Sequence, residues 1–143
     1  MQIPFLSRAY HGFTLIELLV VMIILALLGT VVGPQVMKYV KRAKSNTAKL
    51  QIADFGVALD IYALDVGDYP STEQGLQALV EAPVGTDRWA GPYMKKKTVP
   101  LDPWDTPYKY RAPGENGDYD LYSLGKDNTP GGERENQDIV SWE

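Results

Sequence analysis

Residues 13–33 read FTLIELLVVMIILALLGTVVG, and how this stretch is read decides the fold. It is a run of 21 residues with a single charge, Glu17. As an α-helix it is roughly 31 Å long, enough to cross the hydrocarbon core of a bilayer. A secretory signal peptide has an apolar region of about 7–15 residues closed by an A-x-A-like site. This run is longer, and Gly29, Thr30 and Gly33 fit such a site poorly. A plain membrane anchor accounts for the length but leaves Glu17 unexplained. A carboxylate within an apolar helix costs about 2.5–3.5 kcal/mol at the bilayer centre and less near the interface. Glu17 therefore either reaches for the interface or has a partner and a use.

Downstream of the run, Pro34 removes one helical hydrogen bond and predicts a bend or a local melting at Gly33-Pro34. The helical pattern then resumes. Ile52, Phe55, Leu59, Tyr62 and Val66 recur at steps of three and four and share one face, with Asp54, Asp60 and Asp65 largely elsewhere. The spacing predicts one helix from about Thr14 to about Asp65. Its first half is apolar all round, and its second half is an amphipathic spine for a head. The basic residues Lys38, Lys41, Arg42, Lys44 and Lys49 have two readings. They pair with acidic surfaces of neighbouring subunits or anionic headgroups, or they form a solvated face.

Val66-Gly67-Asp68-Tyr69-Pro70 ends the helix with breaker residues. Ser71 and Gln74 have the spacing of a capping box, and Leu76, Leu79 and Val80 predict a short second helix. Residues 82–99 read as loop, with Trp89 and Tyr93 pinning it to the core. Tyr108–Arg111 and Tyr119–Ser123 read as strands on either side of a Pro113–Gly117 turn, and residues 139–142 supply a third. The expected class is α+β: a long N-terminal helix, membrane-spanning in its first half, packed on a small head with a short helix and a small antiparallel sheet. The tyrosines and tryptophans fit a small core with polar tips outward better than a base- or sugar-stacking platform.

Composition narrows the chemistry. The 143 residues contain no cysteine and one histidine, His11, which rules out disulfides and thiolate sites and leaves almost nothing for a His-based centre. The formal net charge is −4. Residues 1–12 hold one charged residue, Arg8, so the remainder carries −4 − 1 = −5. Such a chain has no electrostatic case for nucleic acid. Carboxylates are numerous, but no motif fixes a catalytic pair, so nothing here points to an enzyme.

The segment His11-Gly12-Phe13-Thr14-Leu15-Ile16-Glu17, followed by the uninterrupted apolar run, resembles the processing motif of type IV pilins and type II secretion pseudopilins. The resemblance implies a leader of residues 1–12, cleaved between Gly12 and Phe13 by a prepilin peptidase on the cytoplasmic face. A new, methylated N-terminus is then left at Phe13. It also gives Glu17 a partner. The new ammonium lies one helical turn away, and pairing between subunits rewards docking in one register. Further along, Tyr69-Pro70-Ser71-Thr72-Glu73-Gln74-Gly75-Leu76, Asp102-Pro103-Trp104 and Asp120-Leu121-Tyr122-Ser123-Leu124-Gly125 resemble the major pseudopilins of type II secretion systems. Asp105 stands where that family commonly has glycine. The cysteine pair common in type IV and competence-type pilins is absent.

Residues 124–139, LGKDNTPGGERENQDI, are rich in oxygen donors and glycine and offer no nitrogen or sulfur ligand. Such a loop suits a hard cation, calcium best. The spacing is not that of an EF-hand. The resemblance implies a calcium site made by the Leu124 main chain, Asp127 and Asp138, with Gln137 where the family often has another aspartate. Asn128, Glu133 and Asn136 are further oxygen donors.

The implied organisation is leader 1–12, transmembrane and fibre-core helix 13–33, amphipathic spine 34–66, and periplasmic head 67–143 with a calcium-binding loop. The implied function is a non-catalytic subunit of the inner membrane that polymerises with itself into a periplasmic pseudopilus. Its partners are minor pseudopilins, an inner-membrane assembly platform and the peptidase. A type IV or competence pilin and a monomeric anchored calcium module are the alternatives. A positive-inside count of the lysines after the run favours the opposite orientation to that of the family.

Overall fold

The computed structural model describes residues 12–143. Arg8, His11 and most of the expected leader lie outside the described residues. One helix, α1, runs from Leu15 to Val66. It passes through Gly33-Pro34 without interruption, so the expected melting does not occur. Proline forfeits one main-chain bond, and a helix of 52 residues absorbs that loss. The chain divides into two compact units at Tyr39/Val40. Among the described residues, the first unit is the apolar part of α1. It is long and apolar enough to cross a membrane, and none of its most apolar window is buried.

In the second unit, α1 buries Ala48, Ile52, Phe55, Ala58, Leu59 and Tyr62. The face expected from the spacing is therefore the core face, with Val66 packed partly against it. Gly67 stops the helix. Its φ of 107° suits only glycine well, and its N–H closes the last turn on the Ala63 carbonyl at 2.8 Å.

The capping box forms as expected. Ser71 N–H donates to Gln74 Oε1 at 2.9 Å, and Gln74 N–H donates to Ser71 Oγ at 3.3 Å. It opens a single short 3₁₀ helix, Gly75–Leu79, rather than an α-helix. Five residues are too few to repay α-helix nucleation, and burial of Leu76, Ala78 and Leu79 holds the turn instead. Residues 82–99 are indeed loop. Trp89 Nε1–H donates to the Ala78 carbonyl at 2.8 Å, and Tyr93 N–H to the Leu79 carbonyl at 2.8 Å. The Tyr62 and Tyr93 rings meet edge-on, 5.5 Å between centroids.

Three short strands follow: β1, Lys109–Arg111; β2, Asp120–Ser123; and β3, Ile139–Val140. They form one antiparallel sheet in the order β1-β2-β3, with Tyr110 opposite Leu121 and Ser123 opposite Ile139. Leu121 and Ile139 are buried with Tyr108, whose ring stands edge-on to Phe55 at 5.2 Å. β3 is shorter than expected, because Ser141 and Trp142 already turn away. Ser141 still closes the edge, donating N–H to the Leu121 carbonyl at 2.9 Å and accepting Leu121 N–H on Oγ at 3.1 Å.

Candidate functional site

Two regions bear on function: the start of α1 and the loop between β2 and β3. At the start of α1, Gly12, Phe13 and Glu17 are all exposed. Thr14, which the sequence reading did not single out, caps the helix. Its Oγ1 accepts the Glu17 N–H at 3.2 Å, and its carbonyl accepts the Leu18 N–H at 3.1 Å. The signal was present, since Thr14-x-x-Glu17 is the spacing of a capping box. Glu17 thus stands in the first turn, where a carboxylate interacts well with the helix dipole.

In the β2–β3 loop, the segment after β2 is tied to the segment before β3. Lys126 N–H donates to the Glu135 carbonyl at 2.9 Å. Gly125 is buried at φ 67°, and a Cβ there lies 2.8 Å from the Glu135 oxygen and 3.0 Å from that of Gln137. Only glycine allows this approach. Residues 134–136 form a 3₁₀ turn. Its Glu135 accepts Lys41 of α1 at 2.6 Å and Lys126 at 3.1 Å. The Lys41 bond, and then Lys126, hold the Glu135 carboxyl below its ordinary range against the opposing effect of burial. Lys41 thus pairs within its own chain. Glu135 escaped the sequence reading, because its partner Lys41 lies in a distant segment with no local signature.

The expected metal ligands are placed as follows. Leu124 is half-buried beside Gly125. Asp127 is exposed and accepts Thr129 N–H on Oδ1 at 3.3 Å. Gln137 is exposed. Asp138 accepts Gly131 N–H on Oδ2 at 2.8 Å, while its Oδ1 is buried without a hydrogen-bond partner among the described residues. An orphaned buried carboxylate oxygen is costly, and a hard cation is one means of satisfying it. Among the described residues, no three His, Cys, Asp or Glu side chains gather closely enough to hold an ion. Any coordination here therefore draws on main-chain and amide oxygens, as the donor set of Leu124 and Gln137 allows.

The other buried carboxylates are structural. Asp120 accepts the N–H groups of Glu115 at 2.8 Å and Asn116 at 3.1 Å, and Arg111 at 3.3 Å, which fixes the turn between β1 and β2. Asp102 organises the Asp-Pro-Trp turn, where Asp105 adopts φ 65°, the conformation in which glycine is at ease.

A helix that starts apolar and exposed, and ends as the spine of a small α+β head, is the build of a pilin-like subunit. Residues 7–33 match the sequence model of the prokaryotic N-terminal methylation motif, and residues 35–142 match that of type II secretion system protein G. The chain is 48% identical over 140 residues to the type II secretion system core protein G of Pseudomonas aeruginosa, covering 95% of this chain and 97% of that one. It is 39% identical over 138 residues to the protein of the same description from Vibrio cholerae, covering 94% and 93%. The crystal structure of the major pseudopilin from the type 2 secretion system of enterohaemorrhagic Escherichia coli superposes with a TM-score of 0.60 at 34% identity, over 74% of this chain and 92% of that one. The chain belongs to the type II secretion system protein G family.

Proposed function

We propose that the chain is the major pseudopilin of a type II secretion system, a structural subunit without catalytic activity that polymerises into the periplasmic pseudopilus driving protein secretion. The carrying observation is the apolar stretch of α1 that begins three residues after Gly12 and stays exposed to solvent. In a family of this name such a surface has two successive environments, the inner membrane and the core of a fibre. In this reading residues 1–12 are removed by prepilin peptidase, Phe13 is N-methylated, and residues 13–33 form the membrane and fibre-core helix. Residues 34–66 form the spine, and residues 67–143 the periplasmic head. The specificity of the processing motif outweighs the charge count that favours the opposite orientation. Glu17 pairs with the Phe13 ammonium of a neighbouring copy and fixes its docking register. The assembly platform and minor pseudopilins act on the same subunit.

The β2–β3 loop takes calcium on the Leu124 carbonyl, Asp127, Gln137 and Asp138. The orphaned Asp138 Oδ1 supports this assignment. The ion supplies folding free energy to a loop too polar to fold by burial.

The test of the processing step is the intact mass of the protein purified from membranes of its host. The expected mass is that of Phe13–Glu143 plus one methyl group. Retention of residues 1–12 overturns the processed-subunit reading and favours a monomeric anchored module.

A further inference from the structure

The turn between β1 and β2 contains Asn116-Gly117. Of the asparagines Asn46, Asn116, Asn128 and Asn136, only Asn116 is followed by glycine. Asn-Gly is favoured in hairpin turns because both residues tolerate a left-handed backbone. That reason is absent here, since neither Asn116 nor Gly117 lies in the left-handed region. Packing does not demand glycine either. A Cβ on Gly117 meets only the Tyr119 carbonyl, at an ordinary 3.9 Å. The turn is held instead by Asp120, whose side chain is buried. Asp120 Oδ1 accepts the Asn116 main-chain N–H at 3.1 Å and Asn116 Nδ2–H at 3.3 Å. Residues 115–118 are open to water and lie outside helix and strand. Among the described residues, Gly117 N–H donates to no main-chain acceptor.

An asparagine amide carbon lies within reach of the next residue's main-chain nitrogen, and the two can close a five-membered ring. A side chain on that next residue crowds the closure, and glycine has none. Helix and ladder bonds hold the main chain away from the required geometry, and Asn116-Gly117 has neither. We infer that Asn116-Gly117 is a self-modification site, at which Asn116 loses its amide and becomes aspartate or isoaspartate. Hydroxide takes the Gly117 amide proton, the nitrogen bonds to Asn116 Cγ, and the Cγ–Nδ2 bond breaks. Nδ2 gains a proton from water and leaves as ammonia. A second water opens the succinimide at one of its two carbonyls, giving aspartate or isoaspartate. The net change is one water consumed and one ammonia released, with nothing oxidised or reduced. The product sets a carboxylate where Nδ2–H had donated to buried Asp120, replacing a hydrogen bond with like-charge repulsion. Isoaspartate also adds a methylene to the main chain of the turn. The reaction therefore loosens the β1–β2 hairpin as the protein ages. Asn46 lies within α1, and Asn128 and Asn136 precede threonine and glutamine, so conversion is confined to Asn116. The inference does not depend on the fibre reading.

The test holds the detergent-purified full-length chain for days in warm, mildly alkaline buffer and weighs its proteolytic peptides. The Asn116 peptide is expected to gain about one dalton, as an amide becomes an acid, and to split into two chromatographic peaks of that mass. Peptides carrying the other asparagines are expected to keep their mass. Gly117→Ala, which the open space and ordinary φ allow, is expected to melt with the wild type and to convert several-fold more slowly. An unchanged Asn116 peptide, equal conversion at the other asparagines, or an undiminished rate in Gly117→Ala overturns the site. A single aspartate peak overturns the ring route. Asn116→Asp reproduces one product directly. Its melting temperature is expected to fall by roughly 4–8 °C, the shift that losing one hydrogen bond produces in a domain of this size. A melting temperature equal to the wild type overturns the loosening of the hairpin.

Discussion

Ser123 Oγ donates a 2.6 Å hydrogen bond to Asp102 Oδ2, joining two buried side chains 21 residues apart. The other oxygen of Asp102 accepts the N–H groups of Trp104 at 3.0 Å and Thr106 at 2.9 Å. Ser123 Oγ in turn accepts Gly125 N–H at 3.2 Å. One contact therefore ties the Asp-Pro-Trp turn to the point where β2 enters the candidate calcium loop.

Removing the hydroxyl leaves Asp102 Oδ2 buried without its donor and Gly125 N–H without its acceptor. Ser123→Ala is expected to lose about 1–3 kcal/mol of stability, the usual cost of a stranded buried polar group. Urea denaturation of the variant measures this. A midpoint equal to the wild type would show that the contact contributes nothing.

Asp105 offers a gain in stability. Its φ of 65° is strained for a residue with a Cβ, and glycine removes the strain while adding unfolded-state entropy. Asp105→Gly is expected to stabilise by about 0.5–1 kcal/mol, seen as a raised melting temperature. A fall would mean that the Asp105 side chain has a role its backbone conformation does not reveal.

Acidification is expected to destabilise the head through Asp120 and Glu135. Burial acts to raise the Asp120 carboxyl, but N–H donors from Glu115 and Asn116 and the Arg111 charge outweigh it, leaving the group below its ordinary value. Glu135 is lowered in the same sense, chiefly by Lys41. A depressed folded-state pKa gives stability that is full above the unfolded value, about 4 for these groups, and is lost as pH falls through the folded one. Melting temperatures from pH 7 down to pH 2 should drop in the acid limb. Asp120→Asn should show a shallower drop, and identical slopes would exclude Asp120 as a contributor.

Calcium is expected to raise the melting temperature. At about 100 times Kd, an ion binding only the folded state adds about 2.7 kcal/mol. Asp138→Ala and Asp127→Ala should abolish the response and impair assembly. A wild-type melting curve that is the same in excess calcium and in chelator would end the assignment.

The helix and the strands were legible because burial imposes periods. Ile52, Phe55, Leu59 and Tyr62 announce a helix face, and the Tyr108/Tyr110 alternation announces a strand. The capping box of Ser71 and Gln74 was legible in its bonds but not in its helix type, which depends on how few residues follow before the chain must turn. Buried polar groups were not legible. Asp102, Asp120 and Glu135 look like surface acids until Ser123, the Glu115 N–H and Lys41 are brought to them. At the candidate loop, the donor chemistry was visible in the residues, while the engagement of Asp138 with Gly131 was not.

The position of β3 has a consequence for biosynthesis. β2 is the central strand, yet one of its neighbours, Ile139–Val140, is translated only after the entire intervening loop. Without β3, the Leu121 and Ser123 side of β2 is an open edge, and the main-chain donors and acceptors of an open edge can recruit strands from other chains. Completion of the sheet therefore waits on delivery of β3 from the far side of the loop. An export route that kept unfinished molecules apart, or delivered them where the loop closes quickly, would spare them from aggregation.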